Sequence, residues 1–479
     1  MQNNSRRKFI QSAAVLTTGF MANGITGKAF YVNEFTSKRP PLANRHFTSA
    51  AVNKFIDTLK PQIKDQELAW LFENCYPNTL DTTVEFEMLN NKPDTYVITG
   101  DIDAMWLRDS TAQITPYLPF AKTDEPLALL VEGVINRQVH SILLDPYANA
   151  FYKDVNKESE WKSDLTVMKP GIHERKWEID SLCYPIKLSH EFWKTTNRTA
   201  VFDNDWLKAV GLMLKTFKEQ QRKEGNGPYN FQRNTFWATD GVPLSGYGYP
   251  VKPVGLICSV FRPSDDATIF PFLIPSNCFA VVSLRQAAEI LTSVYKNNSL
   301  ASECLALANE VDVAIKKYGI INHATFGKIY AFEVNGFGSF NLMDDANVPS
   351  LLSLPYLKYV SAEDEVYKNT RRFVLSDANP FFFKGTAGEG IGGPHAGIDM
   401  IWPLSIIMRG LTTNSKTEIA HCLKLLKHSH AGTGFMHEAF HKNDASNFTR
   451  KWFAWANTLF GELIQHVSIQ HPELLKNNY

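Results

Sequence analysis

The sequence lacks an excess of charge of either sign. Its Lys and Arg residues number 49 and its Asp and Glu residues number 49, so the formal net charge is zero. Nucleic acids and anionic membrane surfaces are bound mainly through positively charged protein surfaces. The composition therefore predicts no nucleic-acid partner.

Cysteine is also scarce, and the six cysteines are scattered without a CxxC pair. This spacing argues against a cysteine zinc site and against a redox dithiol. A chain of 479 residues can bury a large core and does not depend on disulfides for stability. We expect most of the cysteines to be buried free thiols.

Low-complexity segments, long linkers and a repeat of fixed period are absent as well. The missing period argues against a helical solenoid, which is the alternative architecture for a chain rich in helices. The glycine-rich residues 385–395 lack the GxxxxGK[ST] pattern of a phosphate-binding loop. They are better explained as a loop whose backbone comes close to a ligand.

The N-terminus has the pattern of an export signal. Arg6 and Arg7 form a twin-arginine pair, and a mild apolar run over residues 13–22 follows, too short to span a bilayer. The pattern predicts a twin-arginine signal over residues 1–30 and one catalytic domain over residues 31–479. No cysteine follows the apolar run, so we expect a periplasmic protein without a lipid or membrane anchor.

Helical periodicity dominates the rest of the chain, with about a dozen helical segments, among them residues 44–57 and 451–466, and few strands. One hairpin is predicted over residues 330–340, with Asn335-Gly336 as its turn. Clusters of acidic and aromatic residues recur just before helices, at irregular spacing. A closed ring of helical hairpins, with its loops gathered at one end, produces this pattern. We therefore predict an all-α fold, an (α/α)6 barrel with a few short strands in its loops.

Residues 101–113 form the densest cluster of polar and aromatic side chains. Trp106, Arg108 and Asp109 stand together directly before a helical run. The indole provides a flat apolar face, the guanidinium provides paired hydrogen-bond donors, and the carboxylate provides acceptors. This combination suits a polyhydroxylated ring. A buried ion pair that fixes the start of a helix, with the tryptophan in the core, explains the same residues equally well.

Paired carboxylates provide a second kind of chemistry. Glycoside hydrolysis requires two carboxyl groups that flank the scissile bond. Asp265, Asp266 and Glu438 are the candidates, each in a loop with aromatic or histidine neighbours. Asp265 and Asp266 are adjacent, so only one of them can face a ligand squarely; a helix cap explains the pair equally well.

The sequence also contains a literal HExxH at residues 437–441. On a helix, His437 and His441 would bind zinc, with Glu438 as general base and Glu462 as a third ligand. Glycines before the motif and Asn-Asp after it leave room for a very short helix only. A zinc peptidase is therefore an alternative, and a polar loop is the simpler interpretation.

Five motifs, in order, resemble glycoside hydrolase family 125. They are residues 103–113, residues 178–185, residues 262–267 with 274–277, residues 390–395, and residues 434–438 with 452–457. The resemblance extends from about residue 45 to the C-terminus. It implies a bacterial exo-α-1,6-mannosidase on an (α/α)6 barrel, which removes terminal mannose from mannan or N-glycan fragments with inversion and without a metal or other cofactor.

The resemblance also assigns roles to residues. The general acid falls at Asp265 or Asp266, with Asp265 favoured, and the general base at Glu438. The side chains expected to line the pocket of the terminal sugar are those of Trp106, Arg108, Asp109, Asp180, Arg262, His395 and His437. The expected partner is an α-mannoside oligosaccharide, and the expected state is a monomer. Another toroidal glycosidase, a sugar epimerase and a non-catalytic glycan-binding protein remain as alternatives.

Overall fold

A computed structural model describes residues 35–479, and the predicted export signal lies outside the described residues. Residues Ser37–Tyr479 form one compact unit. Its α-helices are α1 Ala50–Leu59, α2 Gln66–Cys75, α3 Asn78–Thr82, α4 Leu107–Ile114, α5 Leu118–Ala121, α6 Glu125–Leu144, α7 Ile179–Thr196, α8 Asn204–Gln220, α9 Ile274–Ile290, α10 Asn298–Ala314, α11 Glu365–Val374, α12 Pro403–Leu411, α13 Lys416–Ser429 and α14 Ala454–Gln470.

The strands are short and lie in the connections between helices. They are β1 Val84–Leu89, β2 Lys92–Val97, β3 Met105–Trp106, β4 Ala150–Phe151, β5 Ile172–Glu174, β6 Phe272–Leu273, β7 Ile320–His323, β8 Gly327–Tyr330, β9 Glu333–Val334, β10 Phe340–Asn341, β11 Phe382–Lys384, β12 Glu389–Ile391, β13 Met400–Ile401, β14 Ala439–His441 and β15 Asp444–Thr449. They pair in sheets of two or three strands, all antiparallel. The hairpin predicted around Asn335-Gly336 is confirmed as β9–β10.

The fold is the predicted (α/α)6 barrel. Outer and inner elements alternate along the chain: α2, α6, α8, α10, α11 and α13 are outer, and α4, α7, α9, α12 and α14 are inner. Helix α4 packs against α7, α7 against α9, α12 against α14, and α14 against α4, which closes the ring. Residues 348–357 take the remaining inner position in chain order and form turns instead of a helix.

The inner helices are buried on nearly all sides. Every residue of α4 is buried, and so are most residues of α9 and α14. Helices that are enclosed all round need no polar face, which is why these segments lack a clear apolar stripe. Gly461 shows how tightly α14 fits, since a Cβ at this position would lie 2.2 Å from the Tyr76 side chain.

One end of the barrel collects the loops. Each inner helix begins after an extended residue whose side chain makes no capping hydrogen bond; these residues are Trp106, Glu178, Leu273, Trp402 and Phe453. Because the inner helices run in the same direction, these residues and the loops before them meet at one end. At this end, backbone N–H groups of the helix N-termini donate to the loops: those of Leu107, Ile179, Ile274 and Ala454 bond Asn149, Ser259, Phe332 and Thr99.

Several element boundaries differ from the sequence predictions. The helix predicted over residues 44–57 begins only at Ala50, because Ser49 caps it and accepts a hydrogen bond from the Val52 N–H at 3.1 Å. The helix predicted over residues 451–466 begins at Ala454 and runs to Gln470. The six cysteines are buried and free, as predicted.

Within residues 35–479, α6 is the one helix whose length and composition would allow it to cross a membrane. Most of this helix is buried against the rest of the protein. It packs on β2, α7 and α8, as one of the outer helices of the barrel.

Candidate active site

Arg108, at the start of α4, is the centre of a buried ion cluster. Its side chain is 3% exposed, and Nη1 donates to Glu178 Oε2 at 2.6 Å and to Asp180 Oδ2 at 3.1 Å. Asp109 Oδ1 lies 3.6 Å from Arg108 Nε. Arg108 and Asp180, which is fully buried, therefore bond each other, and Arg108 Nε and Asp180 Oδ1 have no hydrogen-bond partner among residues 35–479; their contact with a sugar stays a prediction.

Asp109 is a buried carboxyl group on which the charges of Arg108, Arg450 and Asp265 act. Burial raises the pKa of Asp109 to about 6, although the charges of Arg108 and Arg450 oppose this shift. The charge of Asp265 adds to the rise. A carboxyl group with this pKa exchanges a proton near neutral pH, as groups in catalytic sites often do.

Asp265 lies in the turn that leads from Phe261 to Ala267, where the two end residues pair as an isolated β-bridge. Its backbone is in the left-handed region, with φ of 68°. Asn149 Nδ2 donates to Asp265 Oδ1 at 3.3 Å, and Arg108 Nη2 lies 3.7 Å from the same oxygen. The side chain is 24% exposed. Asp265 is thus oriented by neighbours and still accessible.

A buried lysine holds the backbone of this turn. Lys176 Nζ donates to the Asp265 carbonyl oxygen at 2.9 Å and to Asp240 Oδ1 at 2.6 Å. The pKa of Lys176 is raised: burial opposes the shift, and the charges of Glu174, Asp265 and Asp240 outweigh burial. The lysine therefore stays charged and stabilises the strained conformation of Asp265.

Asp266 faces a different partner from Asp265. It is buried, and Oδ1 lies 3.7 Å from Nδ1 of His395. Although burial alone would raise it, the pKa of Asp266 is lowered by the His395 contact, by a hydrogen bond with Thr239 and by the Arg262 charge. The helix-cap interpretation of the aspartate pair is wrong, because the next helix, α9, begins only at Ile274.

Arg262 supports the same turn from below. Its Nε donates to Glu333 Oε1 at 2.7 Å, and its backbone N–H donates to the Asp266 carbonyl at 2.8 Å. The side chain is 3% exposed. Arg262 therefore holds the turn, and its predicted contact with the sugar stays a prediction.

Glu438 precedes β14 and is held by the hairpin that follows. Thr449 Oγ1 donates to Glu438 Oε2 at 3.0 Å, and Arg450 Nη1 lies 3.6 Å from Oε1. Arg450 Nη2 also donates to Asp101 Oδ1 at 2.5 Å. The guanidinium therefore places the carboxylate of Glu438 next to the loop that precedes α4.

His437 is buried against this hairpin. Its ring stacks on Phe448 with a centroid distance of 3.7 Å, and its Nε2 and Nδ1 lie within hydrogen-bond distance of Thr433 Oγ1 and the Arg450 carbonyl. Burial lowers its pKa to about 4, so the imidazole is neutral at pH 7. These contacts occupy both ring nitrogens, and the predicted contact of His437 with the sugar stays a prediction.

The HExxH residues do not form a helix. His437 and Glu438 precede β14 and His441 ends it, so the two histidines do not share the face of a helix. Glu462, the third ligand of the zinc alternative, instead accepts a hydrogen bond from Tyr356 Oη at 3.1 Å. Among residues 35–479, no group of three His, Cys, Asp or Glu side chains is placed to hold a metal ion.

Aromatic side chains complete the site. Trp106 packs edge-on to His173 at 5.1 Å, and His395 lies 6.1 Å from the Trp402 ring. The indole N–H groups of Trp106 and Trp402 are buried without an acceptor among residues 35–479. Because a buried donor without a partner costs free energy, these two donors suit a ligand that is rich in hydroxyl groups.

The charges of the three predicted carboxylates all act on His395. Burial alone would lower its pKa, but the hydrogen bond and charge of Asp266 and the charges of Glu438 and Asp265 raise it to about 9. The imidazole is therefore a cation at neutral pH, within the electrostatic reach of all three carboxylates. The turn at residues 262–267 and the loop at Glu438, far apart in sequence, both reach the segment that leads into α4: Arg108 Nη2 lies 3.7 Å from Asp265 Oδ1, and Arg450 contacts both Glu438 and Asp101.

Several residues of the site were missed in the sequence. Thr449 ends β15, and Arg450, Asn149 and Lys176 lie in loops; none of the four belongs to a recognisable motif, and only the folded chain brings them to the carboxylates. Glu178 was different, because it opens the acidic and aromatic motif before α7. Its position directly before an inner helix could have marked Glu178 as a site residue from the sequence alone.

A helical barrel with two carboxylate loops and unpartnered indole donors at one end defines the protein as a glycoside hydrolase. The family model described as metal-independent alpha-mannosidase (GH125) matches residues 65–465. The chain belongs to glycoside hydrolase family 125, as its motifs predicted. Membership in this family distinguishes it from the sugar epimerases, zinc peptidases and non-catalytic glycan-binding proteins considered above.

Relatives agree with this assignment. The chain is 41% identical to an alpha-mannosidase from Streptococcus pneumoniae, solved as a non-productive substrate complex with alpha-1,6-mannobiose, with a TM-score of 0.85 over 88% of this chain and all of that one. It is 43% identical over 459 residues to the Meiotically up-regulated gene 157 protein of Schizosaccharomyces pombe, which covers 92% of this chain and 90% of the relative.

A more distant structure shares the fold alone. A bacterial glucoamylase complexed with acarbose is 13% identical, with a TM-score of 0.51 over 88% of this chain and 59% of that one. The barrel is thus found in glycosidases with little sequence in common.

Proposed function

We propose that the protein is an exo-acting α-1,6-mannosidase that hydrolyses the terminal α-mannoside bond with inversion. The observation that carries this proposal is that both carboxylates lie against the segment that leads into α4: Asp265 Oδ1 is 3.7 Å from Arg108 Nη2, and Arg450 contacts both Glu438 and Asp101. Inverting glycosidases require one carboxylic acid and one carboxylate on opposite sides of the bond. The α-1,6-mannobiose bound by the Streptococcus pneumoniae relative supports the choice of substrate.

Asp265 is the proposed general acid. Its Oδ1 is held by Asn149, which leaves Oδ2 to donate a proton to the glycosidic oxygen. Asp266 is unsuited to this step, because its lowered pKa keeps it ionised in the pair with His395. The neighbouring Asp109, with a pKa of about 6, can return a proton to Asp265 after each turnover.

Glu438 is the proposed general base. Thr449 fixes Oε2, so Oε1 is the oxygen that accepts a proton from the attacking water. The Arg450 guanidinium, 3.6 Å from Oε1, helps to hold the carboxylate in position. Water attacks the face opposite to the departing oxygen, and the product is β-mannose.

The test is a proton NMR assay on α-1,6-mannobiose, run beside the α-1,2- and α-1,3-linked isomers. β-Mannose as the first product, released fastest from the 1,6-linked isomer, is the expected result. α-Mannose as the first product would indicate retention and overturn the inverting mechanism. Equal rates on all three isomers would overturn the linkage preference while leaving the α-mannosidase activity in place.

We further propose that the enzyme acts as a monomer in the periplasm, on the mannose-rich ends of mannan or N-glycan fragments. The twin-arginine pattern at Arg6-Arg7 supports export of the folded protein. Fractionation of cells that produce the full chain tests the location. The Arg6→Lys, Arg7→Lys double variant should keep the protein in the cytoplasm, and a wild-type protein found only there would contradict the proposal. Light scattering of the purified enzyme should give the mass of one chain.

A further inference from the structure

Two aromatic side chains, Phe236 and Trp237, project into solvent beside the site. Phe236 is fully exposed, at 109% of its reference area, and Trp237 is 59% exposed. Leu165 and Val167 are exposed next to this segment, since Leu165 forms an isolated β-bridge with Gln232. Exposed apolar side chains that lie next to one another often mark a binding surface.

The segment that carries the two aromatics is held firmly at its base. Arg233 Nη2 donates to Asp164 Oδ2 at 2.6 Å, Arg233 Nη1 lies 2.9 Å from Glu174 Oε1, and the guanidinium lies 3.9 Å from the centre of the Trp161 ring. On the other side of the aromatics, Asp240 accepts a hydrogen bond from Lys176. The ring faces are therefore presented from a fixed base, which lowers the entropic cost of binding.

The same segment is bonded to the turn that carries Asp265. The Ala267 N–H donates to the Thr239 carbonyl at 2.7 Å, and Thr239 also bonds the Asp266 side chain. Two residues of chain span at most about 7 Å, so Trp237 lies close to Thr239 and hence to the catalytic turn. Phe236 and Trp237 thus stand on the side of the site where Asp265 acts.

We propose that Phe236 and Trp237 form a platform for the pyranose units that follow the sugar attached to the scissile bond. This assignment rests on the proposed function, because the general acid faces the glycosidic oxygen and therefore marks the side of the leaving group. Aromatic faces match the apolar C–H faces of pyranose rings, and the indole N–H can reach a hydroxyl group. The platform selects oligosaccharides over the disaccharide.

Binding energy from remote sugars also contributes to turnover. Sugars that do not react can hold the glycosidic oxygen against Asp265, so their contacts raise kcat/KM for longer substrates. We expect kcat/KM of the wild-type enzyme to increase from α-1,6-mannobiose to the α-1,6-linked tetrasaccharide.

The experiment compares kcat/KM on mannobiose and on the tetrasaccharide for wild type, Phe236→Ala, Trp237→Ala and the double variant. The ratio of the two values should fall by about tenfold when the platform is removed, as for the loss of one good aromatic contact. Ile469→Ala, which removes an equally exposed apolar side chain at the far end of α14, is the matched control and should leave the ratio unchanged.

A ratio that is the same in wild type and double variant would overturn the platform. A parallel binding measurement separates this failure from a failure of the proposed function: calorimetry with the tetrasaccharide and Glu438→Gln, with and without Trp237→Ala. If wild type releases no mannose but Trp237→Ala still weakens tetrasaccharide binding, the platform stands and the mechanism fails. If the aromatic variants change only the mass measured by light scattering, the surface joins copies of the chain and the platform is overturned.

Discussion

Nδ1 of His395 lies 3.7 Å from Oδ1 of Asp266, so a partly exposed imidazole and a buried carboxylate form an ion pair at the residue next to the proposed general acid. This pair distinguishes two adjacent aspartates that the sequence could not separate. Asp266 is ionised and paired with His395, whereas Asp265 is partly exposed and faces Asn149 and Arg108. Four predictions follow from this geometry.

Asp265→Asn should lower kcat on α-1,6-mannobiose by about 10²–10⁴-fold, the usual contribution of general acid catalysis. On an aryl mannoside whose phenol leaves easily, the loss should be much smaller, because the leaving group then needs no proton. Steady-state kinetics on both substrates measure this difference. Asp266→Asn is the comparison variant, and it should lose similar activity on both substrates. If Asp266→Asn, and not Asp265→Asn, loses much less activity on the aryl mannoside than on mannobiose, Asp266 is the general acid and the two roles are reversed.

Glu438→Gln should abolish turnover while it retains binding of mannose, because the amide keeps the shape of the carboxylate and cannot accept the proton of water. The expected loss in kcat is again about 10²–10⁴-fold. Thr449→Val removes only the hydrogen bond at 3.0 Å that orients Glu438 and should cost less activity. Calorimetry with mannose and single-turnover rates provide the measurements. Near-normal turnover in Glu438→Gln would exclude this residue as the base.

Arg108→Ala should destabilise the protein by about 3–5 kcal/mol, because it leaves the buried carboxylates of Glu178 and Asp180 without their cation. Its kcat should fall as well, since Arg108 Nη2 lies 3.7 Å from Asp265. Denaturant unfolding and kinetics on the folded fraction measure the two effects. Arg285→Ala, which breaks an ion pair of a largely exposed arginine with Asp312, should change stability by less than about 1 kcal/mol. Unchanged unfolding of Arg108→Ala would show that the cluster does not support the fold.

His395→Asn should show a pH-dependent loss of stability. The folded state raises the pKa of His395 from 6.5 to about 9, so it binds the proton more tightly than the unfolded chain does. The stabilising contribution, up to about 3 kcal/mol, is therefore complete below pH 6.5 and is lost as the pH rises through about 9. Because the pKa of Asp266 is lowered, the pair also weakens as the pH falls below 3.8. Urea unfolding of wild type and variant between pH 5 and pH 10 measures the difference. A constant difference across this range would contradict the ion pair.

Much of the architecture could be predicted because it depends on local patterns. Helical periodicity and the recurrence of acidic and aromatic residues before helices predicted the barrel, which the structure confirms. Helix ends were less certain, because a cap such as Ser49 acts through one hydrogen bond that the periodicity does not reveal. The strand conformation of the HExxH motif could not be predicted for a similar reason, since the pairing of β14 with β13 and β15 decides it.

The sequence by itself determined the family, the barrel and the three candidate carboxylates at Asp265, Asp266 and Glu438, since motifs and periodicity are local properties. The export signal at residues 1–30 stays a prediction from the sequence. Only the tertiary structure decided which aspartate is paired with His395 and that Arg108 is enclosed by Glu178 and Asp180. The physical reason is that exposure, ion pairing and pKa depend on groups from distant loops, which meet only when the inner helices bring their N-terminal ends together.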